Sequence, residues 1–300
     1  MRALAWTIGS STLFEPAHPA WKGALRDDAW AEAELSARAE QLLALDRAPD
    51  RLAEALGDPH EAVPLGHTFE KLVLFWQGMR PEVRAATRGL HVRSGGRTLG
   101  EFDVVVLRHD GVIETLEVTV KFYLNLNPAL GMAGVLGPRA FDRMDEKWAK
   151  MTTRQRLLGT TEAGRVAIGQ WLTHACAEAR SLDSLVIENH AISRGYVFHP
   201  SASCACPSEL SPTHLRGCWQ TDRQRLPEGD WRALAGREWL GPYRGPRSES
   251  GWPLDPRMPR MLARGAEGED GQWSESERIF LLRADSGLLA ATRQPHRHRS

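Results

Sequence analysis

A chain of 300 residues with 42% apolar and 25% charged content has the make-up of a soluble protein, long enough to bury one substantial core or two modest ones. Its 38 basic residues balance its 38 acidic ones, which excludes a protein that coats nucleic acid through bulk charge, so polyanion binding has to come from a local patch. No apolar run approaches the ~20 residues that cross a bilayer, the opening Met1–Trp6 lacks a signal-peptide core, and four cysteines are too few for a disulfide framework, so the expected setting is the cytoplasm, with no membrane partner.

Residues 1–60 read as a helical N-terminal extension. Trp30, Leu35, Leu42, Leu43 and Leu45 recur at helical spacing, Asp27-Asp28 sits where a first turn begins, and Pro16, Pro19, Pro49 and Pro59 cut the segment into short pieces. From Gly66, the run His67-Thr68-Phe69-Glu70-Lys71-Leu72-Val73-Leu74-Phe75-Trp76 predicts an apolar helix that stops near Gly78, with Glu70 its rare acid.

The period then changes to two. Leu90–Arg93 predicts a first strand, Ser94-Gly95-Gly96-Arg97 a hairpin turn, Thr98–Leu107 a second strand, Asp110-Gly111 another turn, and Val112 to about Tyr123 a third strand. After an irregular stretch over 125–138, Arg139–Leu158 predicts a long amphipathic helix, Glu162–Ala179 a shorter one, and Ile192–Phe198 a further strand. Beyond Pro200 the chain turns rich in Pro and Gly, and 241–275 reads as loop. The order predicts an α/β (α+β) fold: a core over 61–200 with an antiparallel meander flanked by helices, and a loop-rich C-terminal extension over 201–300.

Residues two apart on a strand share a face, so Glu101 and Asp103 pair up on one side, as do Glu117, Thr119 and Lys121 on the next strand. Charged groups facing a helix-covered sheet are costly unless paired or metal-bound, so an aspartate in Phe102-Asp103-Val104-Val105-Val106 demands a partner. Two or three carboxylates with a neighbouring lysine suit a hard cation such as Mg²⁺ or Mn²⁺. The expected cluster is Glu70, Asp103 and Glu117, with Lys121 as the assisting cation.

This order of helix glutamate, strand aspartate, hairpin, then acid and lysine resembles the PD-(D/E)XK nuclease superfamily. Gly100-Glu101-Phe102-Asp103, Glu117-Val118-Thr119-Val120-Lys121-Phe122-Tyr123-Leu124, the opening Arg2-Ala3-Leu4-Ala5-Trp6, Gly66-His67-Thr68-Phe69-Glu70, Leu136-Gly137-Pro138 before Asp142 and Lys147, and Gly195-Tyr196-Val197-Phe198-His199-Pro200 look more specifically like an uncharacterised bacterial family of that clan. The resemblance implies a restriction-endonuclease-like core with a small mixed sheet and metal-dependent phosphodiester hydrolysis, in DNA as the expected partner. Carried across, Glu70 is the helix acid, Asp103 the bridging ligand, and Glu117 the second ligand with help from the Val118 carbonyl. Lys121 is then the general base or water-positioning cation. The clan separates its acid and lysine by one residue; here Thr119 holds that place, and Lys121 lies roughly 13 Å from Glu117 along an extended strand. Three readings therefore stay open: an active Mg²⁺-dependent nuclease, a degenerate member that binds nucleic acid or a protein without cleaving, and a structural or interaction protein whose acids are simply paired.

The predicted helix over 139–158 carries Arg139, Arg143, Lys147, Lys150, Arg154, Arg156 and Gln155, a candidate track for a phosphate backbone, and the tail holds Arg293, His296, Arg297, His298 and Arg299. Cys204, Cys206, His214 and Cys218, with His199 nearby, are zinc-capable residue types. Cys-x-Cys is tighter than the Cys-x2-4-Cys pairs of structural sites, so loop thiols rather than a structural zinc are expected.

Overall fold

In a computed structural model the chain is described at all residues except 59, 60, 62, 140, 156, 177–181, 222–225, 247–259, 283–287 and 289–300. The basic tail at 293–299 and Arg156 therefore lie outside the described residues. Two compact units form, Met1–Val120 with Trp148–Arg194 and Lys121–Lys147 with Gly195–Ser300.

The N-terminal helices are α1 (Arg2–Gly9), α2 (Asp28–Ala37), α3 (Ala39–Arg47) and α4 (Asp50–Leu56). Asp27 starts α2 as expected, its carboxylate accepting from the Trp30 N–H at 2.8 Å. Helix α5 (Leu65–Gln77) buries Phe69, Leu72, Val73 and Trp76, the stripe that the 3.6-residue period puts on one side. The meander follows as β1 (Val83–Ser94), β2 (Arg97–Arg108) and β3 (Ile113–Asn125). Gly95 and Gly96, at φ 55° and 77°, make the hairpin turn, since both positions need the left-handed backbone. Strand β3 is buried on both faces except at Lys121, which is why alternation is hard to see in its sequence.

The chain then forms β4 (Val135–Leu136), α6 (Met144–Lys150), α7 (Glu162–Cys176) and β5 (Ile187–His199). The helix expected over 139–158 is much shorter, because Arg139 sits in a turn and Arg143 makes an extended bridge to Leu136. A single π-helical turn over Met151–Gln155 follows α6. Strand β3 passes from the first unit to the second between Val120 and Lys121, and β5 between Arg194 and Gly195.

In the first unit, α7 lays Ala167, Ile168 and Leu172 against Val92, Phe102, Val105, Leu107 and Ile113 of the meander. Trp148 packs edge-on against Phe14 and Trp21, each at 5.1 Å between ring centroids. Arg194 is fully buried, and its guanidinium donates to the carbonyls of Thr7 (3.2 Å) and Ile8 (3.0 Å) in the last turn of α1. Those carbonyls lack helical donors and sit at the negative end of the helix dipole, so they receive a buried cation well. Burial lowers the Arg194 pKa to about 10, which leaves it charged at neutral pH.

The second unit contains the C-terminal strands β6 (Leu215–Gln220), β7 (Asp230–Ala233), β8 (Arg244–Gly245), β9 (Arg260–Glu267) and β10 (Trp273–Leu281). β6 runs parallel to both β5 and β10, whereas β9 pairs antiparallel with β10 and β7. The strands number ten among the described residues, so the sheet structure exceeds the small sheet expected, and the described part of 201–300 contributes β6 to β10 to it. Phe122, Tyr196, Phe198, Trp239 and Phe280 form an aromatic core.

Gly195 has φ 140°, and a Cβ there would lie 1.8 Å from the Lys121 carbonyl oxygen. Only glycine allows the two backbones to approach so closely. Gly195→Ala is expected to lower stability by about 3 kcal/mol or more in denaturant titrations. Gly96→Ala, where nothing lies within 4 Å of the added methyl, costs only the left-handed backbone strain of roughly 1 kcal/mol.

Candidate functional site

The β2–β3 ladder pairs Leu107 with Ile113, Val106 with Glu114, Val105 with Thr115 and Val104 with Leu116. Asp103 and Glu117 are the next residues on each strand. At that point Asp103 Oδ2 accepts from the Val118 N–H at 2.9 Å, so a side chain replaces a main-chain carbonyl as partner. Val118, whose carbonyl is the extra ligand implied by the resemblance, thus meets Asp103 through its N–H. Glu117 is buried on β3.

Helix α5 contacts β1 and β2, which brings Glu70 to this end of the meander. Burial pushes the Glu70 carboxyl up, and the charge of Asp103 pushes it further. His67 and Arg88 act the other way, the latter at 3.4 Å, and Glu101 adds a smaller upward push. Glu101 itself is paired with His91 at 2.9 Å. Glu114, in the same unit, behaves oppositely. Burial opposes its ionisation, yet Arg80 at 2.8 Å and Arg108 at 3.4 Å outweigh that and hold its carboxyl below the usual range. Glu70 is therefore a partly buried acid whose cations do not fully compensate it.

The structure thus brings Glu70 and Asp103 into electrostatic contact and puts Glu117 beside the end of the ladder. The carboxylates of all three do not lie within 4.8 Å of one another; among the described residues, one set of three or more acid, histidine or cysteine side chains meets that condition, and it is His199, Cys206 and His214. In the second unit, the Lys121 ammonium pairs with Asp142, and the Tyr123 hydroxyl donates to the same carboxylate at 3.0 Å.

The basic residues expected on one helix are divided. Arg139 lies in a turn, Arg143 is held by Asp145 and by Glu146 at 3.1 Å, Lys147 and Lys150 lie on α6, and Gln155 ends the π turn.

Sequence reading treats the thiols of Cys204, Cys206 and Cys218 alike. The structure separates them: Cys206 joins His199 and His214, while Cys204 and Cys218 stand outside that set. The signal for His199 is a histidine closing an apolar strand, where full burial demands a partner for each ring nitrogen. Burial lowers the pKa of both imidazoles, His199 to about 4, so both rings are neutral at neutral pH.

Asp103→Ala strands a buried N–H at Val118 and is expected to cost about 1–3 kcal/mol by thermal or denaturant unfolding. Glu70 contributes in the opposite sense. A carboxyl raised in the folded state binds its proton more tightly than in the unfolded chain, so its contribution is present at acid pH and is lost as pH rises through the raised value. In chelator-treated protein, Glu70→Gln should therefore be stabilising by roughly 1 kcal/mol at neutral pH, with the gain vanishing below the ordinary glutamate range.

No curated protein and no solved structure matches the chain. A family model described as a domain of unknown function (DUF1853) matches residues 2–282, and the chain belongs to that family.

Proposed function

We propose that Glu70, Asp103 and Glu117 hold a divalent cation and that the protein is a nuclease-like phosphodiesterase acting on DNA, with the restriction-endonuclease-like core that its resemblance to the PD-(D/E)XK superfamily implies. The observation that carries this reading is the under-compensated Glu70 beside Asp103 at the end of the β2–β3 ladder. Two acids that raise one another's cost of ionisation in a partly buried place gain most from a shared dication. The donor set is all oxygen, the set that Mg²⁺ or Mn²⁺ takes. When bound, such an ion neutralises a nonbridging phosphoryl oxygen and makes a water more acidic.

In this reading the chain's own groups take the roles that the resemblance gives them. Asp103 keeps Oδ2 on the Val118 N–H, which fixes the orientation of its carboxylate and leaves it little freedom to rotate away from Glu70. Glu70 lies on a helix clamped by four buried apolar residues, so its position is set by the core. Glu117 and the Val118 carbonyl complete the ligand set in this reading. The stretch from Arg139 to Gln155 supplies basic residues for a phosphate backbone, with Arg143 removed from that role by its own acids. The resemblance gives Lys121 the general-base or water-positioning role.

A second reading, a degenerate member that binds nucleic acid or a protein without cleaving it, is favoured by one observation: the Lys121 ammonium is already paired with Asp142. Purified protein incubated with plasmid, single-stranded and branched DNA in Mg²⁺ or Mn²⁺ separates the two. Metal-dependent cleavage that falls at least ~100-fold in Asp103→Asn and in Lys121→Ala supports the nuclease. Intact DNA that is nevertheless retarded in gel-shift assays supports the second reading. Mg²⁺ or Mn²⁺ should also raise the melting temperature of the wild type and not of Glu70→Gln; an equal response in both removes Glu70 from any cation site.

A further inference from the structure

The connection from β5 to β6 joins two parallel strands, a crossover that proteins ordinarily build on a helix. Residues 200–214 contain neither helix nor strand. Loops of this length without regular structure are uncommon in compact domains and usually functional. Both ends of the connection carry a buried histidine, His199 at the end of β5 and His214 immediately before β6, and Cys206 comes from its middle.

The spacing of their ligand atoms is that of a coordination shell without its centre. His199 Nε2 and His214 Nε2 are 3.3 Å apart, and Cys206 Sγ is 3.8 Å from His199 Nε2. Tetrahedral zinc, with its usual bonds to imidazole and thiolate, puts two nitrogens ~3.3 Å apart and a nitrogen and a sulfur ~3.6 Å apart.

The surroundings orient the rings for this task. His214 Nδ1 faces the Ser211 carbonyl, which only accepts, so the hydrogen sits on Nδ1 and the Nε2 lone pair faces His199. His199 Nδ1 lies 3.3 Å from the side-chain amide of Asn125, a fully buried residue whose Oδ1 has no hydrogen-bond partner. The two ends of an amide are interchangeable in placement. The structure sets Nδ2 there, 3.8 Å from Cys204 Sγ; turning the amide would set Oδ1 against His199 Nδ1, which would then carry the hydrogen, and would point both Nε2 lone pairs at one another. Such an arrangement is repulsive without a cation between them. Arg216 donates to the Cys206 sulfur and to the Cys204 carbonyl at 2.9 Å, placing a positive charge beside the sulfur that bears negative charge as a ligand.

We propose that His199, Cys206 and His214 bind a zinc ion that staples the 200–214 connection to β5 and β6. Two imidazoles and a thiolate select a borderline-soft dication, so this site is distinct in chemistry from the all-oxygen acids and stands independently of them. Three protein ligands leave the fourth tetrahedral position to water or another donor. The rival arrangement, one proton shared between the two rings, gives Cys206 no part.

The test uses the full chain purified without a polyhistidine tag and with His296 and His298 changed to alanine, so that the tail adds no chelate of its own. Elemental analysis is expected to find about one zinc per chain. Cobalt(II) exchanged for zinc should show a thiolate-to-cobalt charge-transfer band. Cys206→Ser, at a half-exposed position, should lose both the zinc and the band, whereas Cys218→Ser keeps both. Chelator should lower the melting temperature of the unsubstituted site, with recovery on adding Zn²⁺ and none on adding Mg²⁺. A chain that neither carries zinc nor takes it up, or a Cys206→Ser variant with unchanged zinc content and cobalt spectrum, overturns the proposal. The cobalt and chelator readouts on the native site need no variant to fold.

Discussion

A carboxylate doing the work of a backbone carbonyl determines how the meander ends. Past the Val104–Leu116 pair, the N–H of Val118 is met by Asp103 Oδ2 rather than by main chain. Because a buried N–H left without an acceptor costs about as much as a core cavity of modest size, position 103 has a structural reason to carry an acceptor oxygen, and Asp103 supplies it as a carboxylate. Its charge is then present at the edge of the α5 surface, and Glu70 has to coexist with it. The tension at this spot is a consequence of strand pairing.

The rest of the molecule shows how buried charge is normally accommodated here. Glu114 has two arginines. Arg194 has the carbonyl end of α1. Arg278, also buried, donates to the Trp239 carbonyl at 2.7 Å and lies 4.8 Å over the ring of Tyr196. In each case the compensating groups come from backbone or from side chains locked in place by packing, so little reorganisation is needed to solvate the charge. Glu70 has one arginine at the long end of ion-pair distance and a like charge nearby, and that contrast, more than the mere presence of acids, singles the place out.

The His199–Cys206–His214 set gathers candidate ligand atoms of another kind, two imidazole nitrogens and a sulfur. Irregular backbone between parallel strands has few hydrogen bonds of its own, and a coordinated ion supplies the missing cross-links at the cost of ordering a single loop. The two candidate sites belong to different metal chemistries, hard oxygen donors in one and nitrogen with sulfur in the other.

Much of the N-terminal half was readable along the chain, because it is built from local signals. The cap at Asp27, the apolar stripe of α5, the Gly95-Gly96 turn and the three meander strands each depend on residues within a few positions of one another. The sequence alone also named Glu70, Asp103 and Glu117 as acids in places where acids are costly. It could not show that β3 is buried on both faces, that β9 and β10 arise within a Pro- and Gly-rich tail, or that the helix expected from Arg139 starts only at Met144. Nor could it tell Cys206 from its neighbours, or match His199 with His214. Those outcomes depend on pairing between residues far apart in the chain, where the free energy lies in which strand lies beside which, and no periodicity of a single segment carries that information.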